Sequence, residues 1–340
     1  MNKPLPTLLL VLASSAQAYD FEAIATQHIL PVYQQLVEQT TQLNHAAQSY
    51  CAQPGGASME TLRSEYSDAF LAWQGAQHLR LGPVQYLSRE HRFAMWPDKR
   101  GKVRKHLARL KQDPDLQSEA FDISSKSVAV QGFSALERLL FGNSPPDQQD
   151  CRIATAITGN LQDMGTNLLN DWSGGEEPFV DFFKQPSDLN PIFESDEELA
   201  SRLLNSLYTE LEVIVTQKLA RPLGDSRAKA RGKRAESWRS GNALAAISAN
   251  LNASEALYQQ AFAAKLAGTA LGVTIDQQFR QARQTLDSIQ KPLAQAVSDA
   301  TERSKVEQLQ REVSMLKGLV GRDMAAKLGL SLGFNALDGD

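Results

Sequence analysis

Apolar residues recur at helical spacing along nearly the whole chain, and runs that alternate apolar with polar residues are almost absent. An amphipathic helix repeats about every 3.6 residues, whereas a half-buried strand alternates from one residue to the next. In the segment 20–50, the apolar stripe consists of Phe21, Ile24, Ile29, Val32, Leu36 and Leu43. The periodicity predicts an all-α fold, and 340 residues are enough for one large helical core or two medium ones.

Glycine, proline and capping residues divide the helical pattern into segments. Pro31 predicts a kink in the helix over 20–50, or the start of that helix. Ser58 can cap a second helix that runs to about Leu81, where Gly82-Pro83 is a stop signal. Further helices are predicted over about 100–112, 123–141, 148–172, 196–219, 234–262, 274–289 and 299–327.

A change of composition predicts how the chain is organised. Residues 173–198 hold Gly174-Gly175, three prolines, and eight acidic residues against one lysine. This composition is typical of an irregular connector with few strong elements. We therefore predict an N-terminal helical bundle over 19–172, a C-terminal helical bundle over 199–330, and a frayed tail over 331–340.

The first eighteen residues have the three-part pattern of an export signal. Lys3 precedes an apolar run around Leu8–Leu12, and Ala16-Gln17-Ala18 supplies small residues for cleavage. The apolar run is far shorter than the roughly 20 residues that span a bilayer, and no later segment is apolar enough. We expect a signal peptide over 1–18, cleavage after Ala18, and a periplasmic protein without a transmembrane segment in its mature chain.

The charge of the chain gives no reason to expect nucleic acid as a partner. The formal net charge is −4, whereas nucleic-acid binding depends on neutralising phosphates with basic residues. One segment, 221–239, is nevertheless basic and contains seven lysine or arginine residues. Charge runs usually face water, which favours a solvated connector over an anion site in this segment.

The two cysteines, Cys51 and Cys151, lie at the edges of two helical patterns. In an oxidising compartment an isolated pair most simply forms a disulfide. Such a bridge would tie two helix ends together across a loop of about a hundred residues. The alternative, a metal-binding or catalytic thiol, lacks a Cys-x-x-Cys motif or a neighbouring histidine.

Five short sequence blocks occur in a fixed order along the chain. They are Ala72-Trp73 with Gln77–Pro83, then Met95–Gly101, Val130–Gly142, Lys218–Gly224 and Glu236–Gly241. Taken together, these blocks resemble the imelysin-like proteins. The resemblance implies two helical parts like four-helix bundles, with the functional site in the cleft between them. It also implies a link to iron acquisition in the periplasm or at the outer membrane, and, for some members, a peptidase activity.

The third block carries the motif that marks this family, Gly-x-His-x-x-Glu on a helix. Gly132 and Glu137 match the motif, but Ser134 stands where the histidine is expected. A histidine and a glutamate three residues apart share one helical face and can share a metal ion. A serine hydroxyl is a weak ligand for a transition metal by comparison. The substitution favours a non-catalytic protein over a metallopeptidase, and the chain has no His-Glu-x-x-His motif.

Glu137 is expected to be partly buried, because apolar residues surround it in the sequence. A buried carboxylate needs a partner. The candidate partners in the family blocks are Arg80, Arg92, Lys99 and Arg239. With one of them, Glu137 would be half of a salt bridge between the two parts. The alternatives are a metal or ligand site, with His78 as a second metal ligand, and a catalytic base.

The predicted ligand site is assembled from several family blocks. Its residues are Arg80, Trp96, Asp98, Gly132, Ser134, Glu137, Trp238 and Arg239. Asp98 can instead cap the helix that follows it, and the two tryptophans can instead be core residues. The cofactor is not identified, and iron or another divalent metal, weakly bound, is the candidate.

The leading interpretation is a non-catalytic binding component linked to iron uptake, with envelope iron-uptake components as its partners. The alternatives are a metallopeptidase with a degenerate motif and an interaction module of the envelope.

Overall fold

Helices make up the regular secondary structure of the computed structural model, which describes residues 18–53 and 58–333. No strand occurs in either range, so the predicted all-α fold is confirmed. Across the same ranges, no helix is both long enough and apolar enough to cross a membrane. The predicted signal peptide up to residue 17, the predicted loop at 54–57 and the tail from 334 lie outside the described residues.

The first group of helices, which we call the N-terminal bundle, is built around three long helices. Its members are α1 (Phe21–Ile24), α2 (Leu30–Ala52), α3 (Met59–Ala76), α4 (Arg89–Phe93), α5 (Lys102–Leu110), α6 (Phe133–Leu140), α7 (Gln148–Ser173) and α8 (Phe179–Lys184). Helix α2 packs against both α3 and α7. Tyr33, Trp73 and Trp172 are buried in the core of this bundle.

The second group, which we call the C-terminal bundle, follows in the chain. Its members are α9 (Asp196–Val213), α10 (Arg221–Leu223), α11 (Ala243–Ala261), α12 (Ala270–Asp287), α13 (Leu293–Ala296), α14 (Glu302–Gly318) and α15 (Ala325–Leu328). Helix α12 packs along α14, and α9 contacts both α11 and α14. Because α11 also packs along α3, the apolar residues of both bundles form one continuous core. The domain boundaries themselves remain a prediction.

Pro31 lies inside a helical stretch that continues on both sides of it. A π-helical segment, Ala25–Ile29, joins α1 to α2 immediately before the proline. There the Leu30 N–H bonds to the carbonyl of Ala25, five residues back. Proline has no N–H to donate, and a π turn shifts the hydrogen-bonding register just before it. Pro31 therefore marks the start of α2.

The acidic segment 173–198 is not wholly irregular, contrary to the prediction. It contains α8, whose Phe179 and Phe183 are buried. Both rings lie against Trp172 of α7, with ring centroids 4.8 and 5.5 Å from the indole. Burial of these aromatic rings fixes a short helix in a segment whose glycines and prolines favour a loop.

The helix predicted over 123–141 is much shorter, because α6 begins only after Gly132. Short 3₁₀ turns occupy Ile123–Ser125 and Val128–Val130, and Gly132 has an extended backbone with φ −143° and ψ −160°. A β-carbon at Gly132 would overlap the carbonyl oxygens of Arg92 and Phe93. The glycine therefore permits a close approach to the end of α4. The prediction that Gly132 lies within the helix is therefore wrong.

The helix predicted over 234–262 begins at Ala243, which leaves Trp238 and Arg239 on a turn. Ser237 and Gly241 have φ values of 47° and 79°, in the left-handed region. An α-helix cannot continue through such residues. The residues from Ser237 to Gly241 form what we call the 237–241 turn.

The predicted disulfide between Cys51 and Cys151 is present, with a Cα–Cα distance of 5.4 Å. It joins the end of α2 to the start of α7, two helices that also pack together. By the loop-entropy model, closing a loop of 100 residues contributes about 4–5 kcal/mol to stability. The bridge therefore reinforces the centre of the N-terminal bundle.

Candidate functional site

The carboxylate of Glu137 is held by a backbone turn of the C-terminal bundle. Its Oε1 accepts hydrogen bonds from the backbone N–H groups of Arg239 and Ser240, each at 3.0 Å. The Ser240 hydroxyl lies 3.1 Å from the same oxygen. The left-handed backbone of Ser237 helps to turn the chain so that successive N–H groups point to one acceptor. Glu137 therefore fixes the 237–241 turn against α6.

Burial raises the pKa of Glu137 above its ordinary value. The hydrogen bonds from Ser240 and the positive charge of Arg239 offset part of this rise. The guanidinium Nη1 of Arg239 is 3.9 Å from Glu137 Oε2, at the outer limit for an ion pair. Of the predicted partners, Arg239 is brought to Glu137, but the short contacts come from main-chain N–H groups.

A cavity of about 160 Å³ lies beside Glu137, between the two bundles. Six residues of the predicted ligand site line it: Trp96, Asp98, Ser134, Glu137, Trp238 and Arg239. They come from the loop before α5, from α6 and from the 237–241 turn. Arg221 of α10 also lines the cavity. Four of the five family blocks therefore meet at one cavity.

The lining of this cavity is predominantly basic. Its basic residues are Arg138, Arg221, Lys233, Arg234 and Arg239. Its acidic residues are Asp98, Glu137 and Glu236. The segment 221–239, predicted to be a solvated connector, thus contributes four of the basic residues.

Each acidic side chain of the lining already has partners within the protein. Asp98 accepts hydrogen bonds from the N–H groups of Lys102 and Val103 at 2.7 and 3.0 Å, and so caps α5. Glu236 lies 2.7 Å from the ammonium group of Lys218. Glu137 is bonded to the 237–241 turn as described. Bonds from N–H groups leave Asp98 and Glu137 charged, but the five basic residues outnumber them, so the open space has a net positive character.

Two arginines at the cavity have a lowered pKa, chiefly because they are partly buried and also because of a second arginine. Burial and the charge of Arg234 lower the pKa of Arg221. Burial and the charge of Arg138 lower the pKa of Arg239, which Glu137 only partly offsets. Neither Arg138 nor Arg234 forms an ion pair with any residue of the described ranges. An added anion would relieve the repulsion between these arginines.

Trp96 and Trp238 form aromatic walls of the cavity. The guanidinium carbon of Arg239 is 4.2 Å from the Trp238 ring centroid, and the Lys233 ammonium is 5.3 Å from it. The guanidinium carbon of Arg221 is 5.9 Å from the centroid of Trp96. Cation–π contacts of this kind hold basic side chains in place. Both indoles are partly buried, and Trp238 also packs against the edge of the hydrophobic core.

His78 and Arg80 do not line this cavity, although both were predicted to contribute to the site. The Nε2 atom of buried His78 lies 2.7 Å from Nε2 of His28. The Arg80 guanidinium pairs at 2.7 Å with Glu210, whose side chain is buried. The structure therefore does not assemble Glu137 and His78 as a metal pair. Gly132 does not line the cavity either, because it packs against α4.

The residues at Glu137 do not fit a bound metal ion. Glu137 Oε1 is occupied by donors from the 237–241 turn, and Ser134 supplies only a hydroxyl. The other oxygen, Oε2, faces the Arg239 guanidinium at 3.9 Å, so a divalent cation there would lie among arginine side chains. Elsewhere in residues 18–53 and 58–333, no group of three or more His, Cys, Asp or Glu side chains is arranged to hold a metal.

A buried ion pair that lies beside the cavity was not predicted from the sequence. Lys218 and Glu236 are 2% and 5% exposed, and their charged groups lie 2.7 Å apart. Gln74 of α3 and Gln77, the residue after this helix, also accept hydrogen bonds from the Lys218 ammonium, the latter at 3.3 Å. Both charged residues belong to family blocks, but sequence alone did not indicate that these two blocks meet.

Known proteins resemble this chain over most of its length. The sequence model of the imelysin family matches residues 29–320. Iron-regulated protein A of Synechococcus elongatus is 22% identical over 286 residues, which are 80% of this chain and 76% of that protein.

Solved structures show the same fold. An imelysin-like protein from Psychrobacter arcticum has a TM-score of 0.75 at 21% identity, covering 92% of this chain and 96% of its own. A putative iron-regulated protein A precursor from Parabacteroides distasonis has a TM-score of 0.74 at 14% identity, covering 90% and 96%. Because the family model extends over most of the sequence, this chain belongs to the imelysin family.

Proposed function

We propose that this protein is a non-catalytic binding protein of the periplasm, with its ligand in the cavity beside Glu137. The main support is that family blocks from both bundles meet at this one cavity, where basic side chains outnumber acidic ones. Among the described residues, Arg138, Arg221, Lys233 and Arg234 have no ion-pair partner. Ligands commonly bind in clefts where two packed units meet. The role that we assign to the protein is the capture of a small molecule in iron-related physiology, together with envelope iron-uptake components.

A binding role agrees better with the site than the metallopeptidase alternative does. A general base must be free to accept a proton from its substrate or from water. Glu137 Oε1 is instead engaged by Arg239 and Ser240, and its Oε2 faces the positive guanidinium of Arg239 at 3.9 Å, which disfavours protonation there. The motif histidine is also replaced by Ser134. The basic and aromatic side chains of the site can therefore bind a ligand, whereas the carboxylate of Glu137 holds the 237–241 turn in place.

The link to iron and the location rest on the relatives and on the N-terminal sequence. One relative is named for regulation by iron, and another is named a precursor as well. Lys3, the apolar run Leu8–Leu12 and the small residues that follow match an export signal. Cell fractionation should therefore recover the protein with periplasmic markers, shortened by cleavage after Ala18.

Native mass spectrometry of protein purified from the cell envelope without chelators tests the binding role. We expect a small molecule to co-purify and to be released by acid. The Trp238→Ala variant should lose it, because Trp238 is a wall of the cavity. The control Leu189→Ala, at an exposed position outside the cavity, should keep it. Chelator-sensitive cleavage of a peptide library would contradict the proposal in favour of the enzyme.

A further inference from the structure

We infer that the cavity beside Glu137 binds a compact polyanion, a small molecule with at least two carboxylate or phosphate groups. This inference rests on the proposed binding function and specifies the class of its ligand. A bare metal cation is excluded as the primary ligand, since it would be repelled by the basic lining.

The number of guanidinium groups in the lining indicates at least two anionic groups on the ligand. These groups belong to Arg138, Arg221, Arg234 and Arg239. All four line the same cavity. An arginine fork binds a carboxylate or a phosphate through two parallel hydrogen bonds. A ligand with two such groups could bind all four arginines, whereas a monoanion would leave some of them without an anionic partner.

The acidic residues of the lining compensate only part of this charge. Five basic residues line the cavity against three acidic ones, and one of these, Glu236, is already neutralised by Lys218. Asp98 caps α5 with both of its carboxylate oxygens. Glu236 is paired with the ammonium of Lys218, and Glu137 is bonded to the 237–241 turn. The site therefore keeps its positive character in the absence of ligand.

Aromatic walls hold the basic groups in place before a ligand arrives. Arg239 and Lys233 lie over Trp238, and Arg221 lies over Trp96. Such contacts restrict the rotamers of long side chains, which lowers the entropy lost on binding. Trp96 and Trp238 are also able to pack against the carbon skeleton of the ligand.

The size of the cavity restricts the ligand to a compact molecule. Its volume is about 160 Å³, below the roughly 300–1,000 Å³ of pockets that hold drug-sized ligands. Citrate and pyrophosphate are suitable probes, because each carries several anionic groups on a small skeleton. Ferric citrate is a further probe, because it presents carboxylate groups of the same kind as free citrate.

Titration calorimetry of the mature protein tests this inference with citrate, pyrophosphate, ferric citrate, and Fe(II) or Zn(II) chloride. We expect binding of at least one of the two free polyanions, or of ferric citrate, and no heat from the metal salts alone. A larger heat with ferric citrate than with citrate would identify the complex as the preferred source. Affinity for the polyanion should fall at least several-fold between 50 and 300 mM NaCl, because the interaction is ionic.

Arginine variants test whether the polyanion binds in this cavity, and a Lys229 variant is the matched control. Arg221→Ala and Arg239→Ala should each weaken polyanion binding at least tenfold, and Arg239→Lys should restore only part of the affinity. Lys229 belongs to the same basic segment but is exposed and lies outside the cavity, so Lys229→Ala should bind like the native protein. Circular dichroism and the melting temperature verify that each variant is folded.

Two results would overturn the inference. One is the absence of heat with every polyanion, and the other is binding that Arg221→Ala and Arg239→Ala leave unchanged. A neutral or cationic molecule that co-purifies in native mass spectrometry would contradict the inference while supporting the binding function. Failure of both experiments would instead remove the proposed function itself.

Discussion

The backbone N–H of Ser240 donates a hydrogen bond to the carboxylate of Glu137 at 3.0 Å, and this bond connects the two bundles. The acceptor is the glutamate of the family motif, on α6. The donor belongs to the turn that carries Trp238 and Arg239, two walls of the cavity. In this protein, therefore, the motif glutamate acts on the site by positioning the residues that would contact a ligand.

Replacing Glu137 tests this positioning role. Glu137→Ala leaves the partly buried N–H groups of Arg239 and Ser240 without their acceptor, which should lower the free energy of unfolding by about 2–4 kcal/mol. Glu137→Gln keeps one carbonyl oxygen as acceptor and should cost about 1 kcal/mol. Urea unfolding of both variants measures the difference. Equal losses would mean that the charge, rather than the acceptor, matters.

The buried pair of Lys218 and Glu236 should behave as one unit in a double-mutant cycle. Lys218→Met leaves the Glu236 carboxylate buried without its cation, which should cost about 3–5 kcal/mol. The double variant Lys218→Met with Glu236→Leu removes both charges and should be more stable than either single variant. Thermal and urea unfolding provide the measurement. Additive losses would contradict direct coupling.

Much of the helical framework was predictable, because it depends on local patterns. The apolar stripes of α2 and α7 have a regular helical period, and Ser58 caps α3 as its type and position suggest. The presence of two cysteines and the oxidising compartment expected for an exported protein also predicted the bridge between Cys51 and Cys151. These features need no knowledge of which distant segments meet.

The site was less predictable, because its contacts are tertiary and involve the main chain. The sequence pointed to the Arg239 side chain as a partner of Glu137, but every non-proline residue has an N–H, so the short contacts could not be foreseen. The basic segment 221–239 was expected to face water. Its chain reverses at Gly224 and Ser237, where φ is positive, and this brings Arg221, Lys233 and Arg234 around one cavity.

Gly132 should tolerate no side chain. Gly132→Ala places a β-carbon on the carbonyl oxygens of Arg92 and Phe93, which are backbone atoms that a rotamer change cannot move. We expect a loss of more than about 3 kcal/mol in the free energy of unfolding. Gly159, inside α7, has open space at the same atom, so Gly159→Ala should be neutral or stabilise by about 1 kcal/mol. Similar effects at both glycines would contradict the close approach.

The buried histidines His28 and His78 should make the fold sensitive to mild acid. Burial lowers the pKa of His28 from 6.5 to about 4, and burial together with His28 lowers the pKa of His78. As the pH falls below 6.5, the unfolded chain takes up protons that the folded chain does not. Stability is therefore fully present above pH 6.5 and falls toward pH 4, by up to about 1.4 kcal/mol per pH unit for each histidine.

Urea unfolding at pH 7.0, 6.0 and 5.0 measures the acid sensitivity of the histidine pair, and exposed His45 provides the control. His28→Gln removes one proton-binding group from the unfolded chain, so its stability should depend less steeply on pH than that of the native protein. His45→Gln should leave the slope unchanged. A native protein whose unfolding free energy stays constant between pH 7.0 and 5.0 would mean that the folded pair takes up protons over the same pH range as the unfolded chain. Because the two Nε2 atoms lie 2.7 Å apart, two charged rings would repel each other there, so the neutral pair is the form we expect.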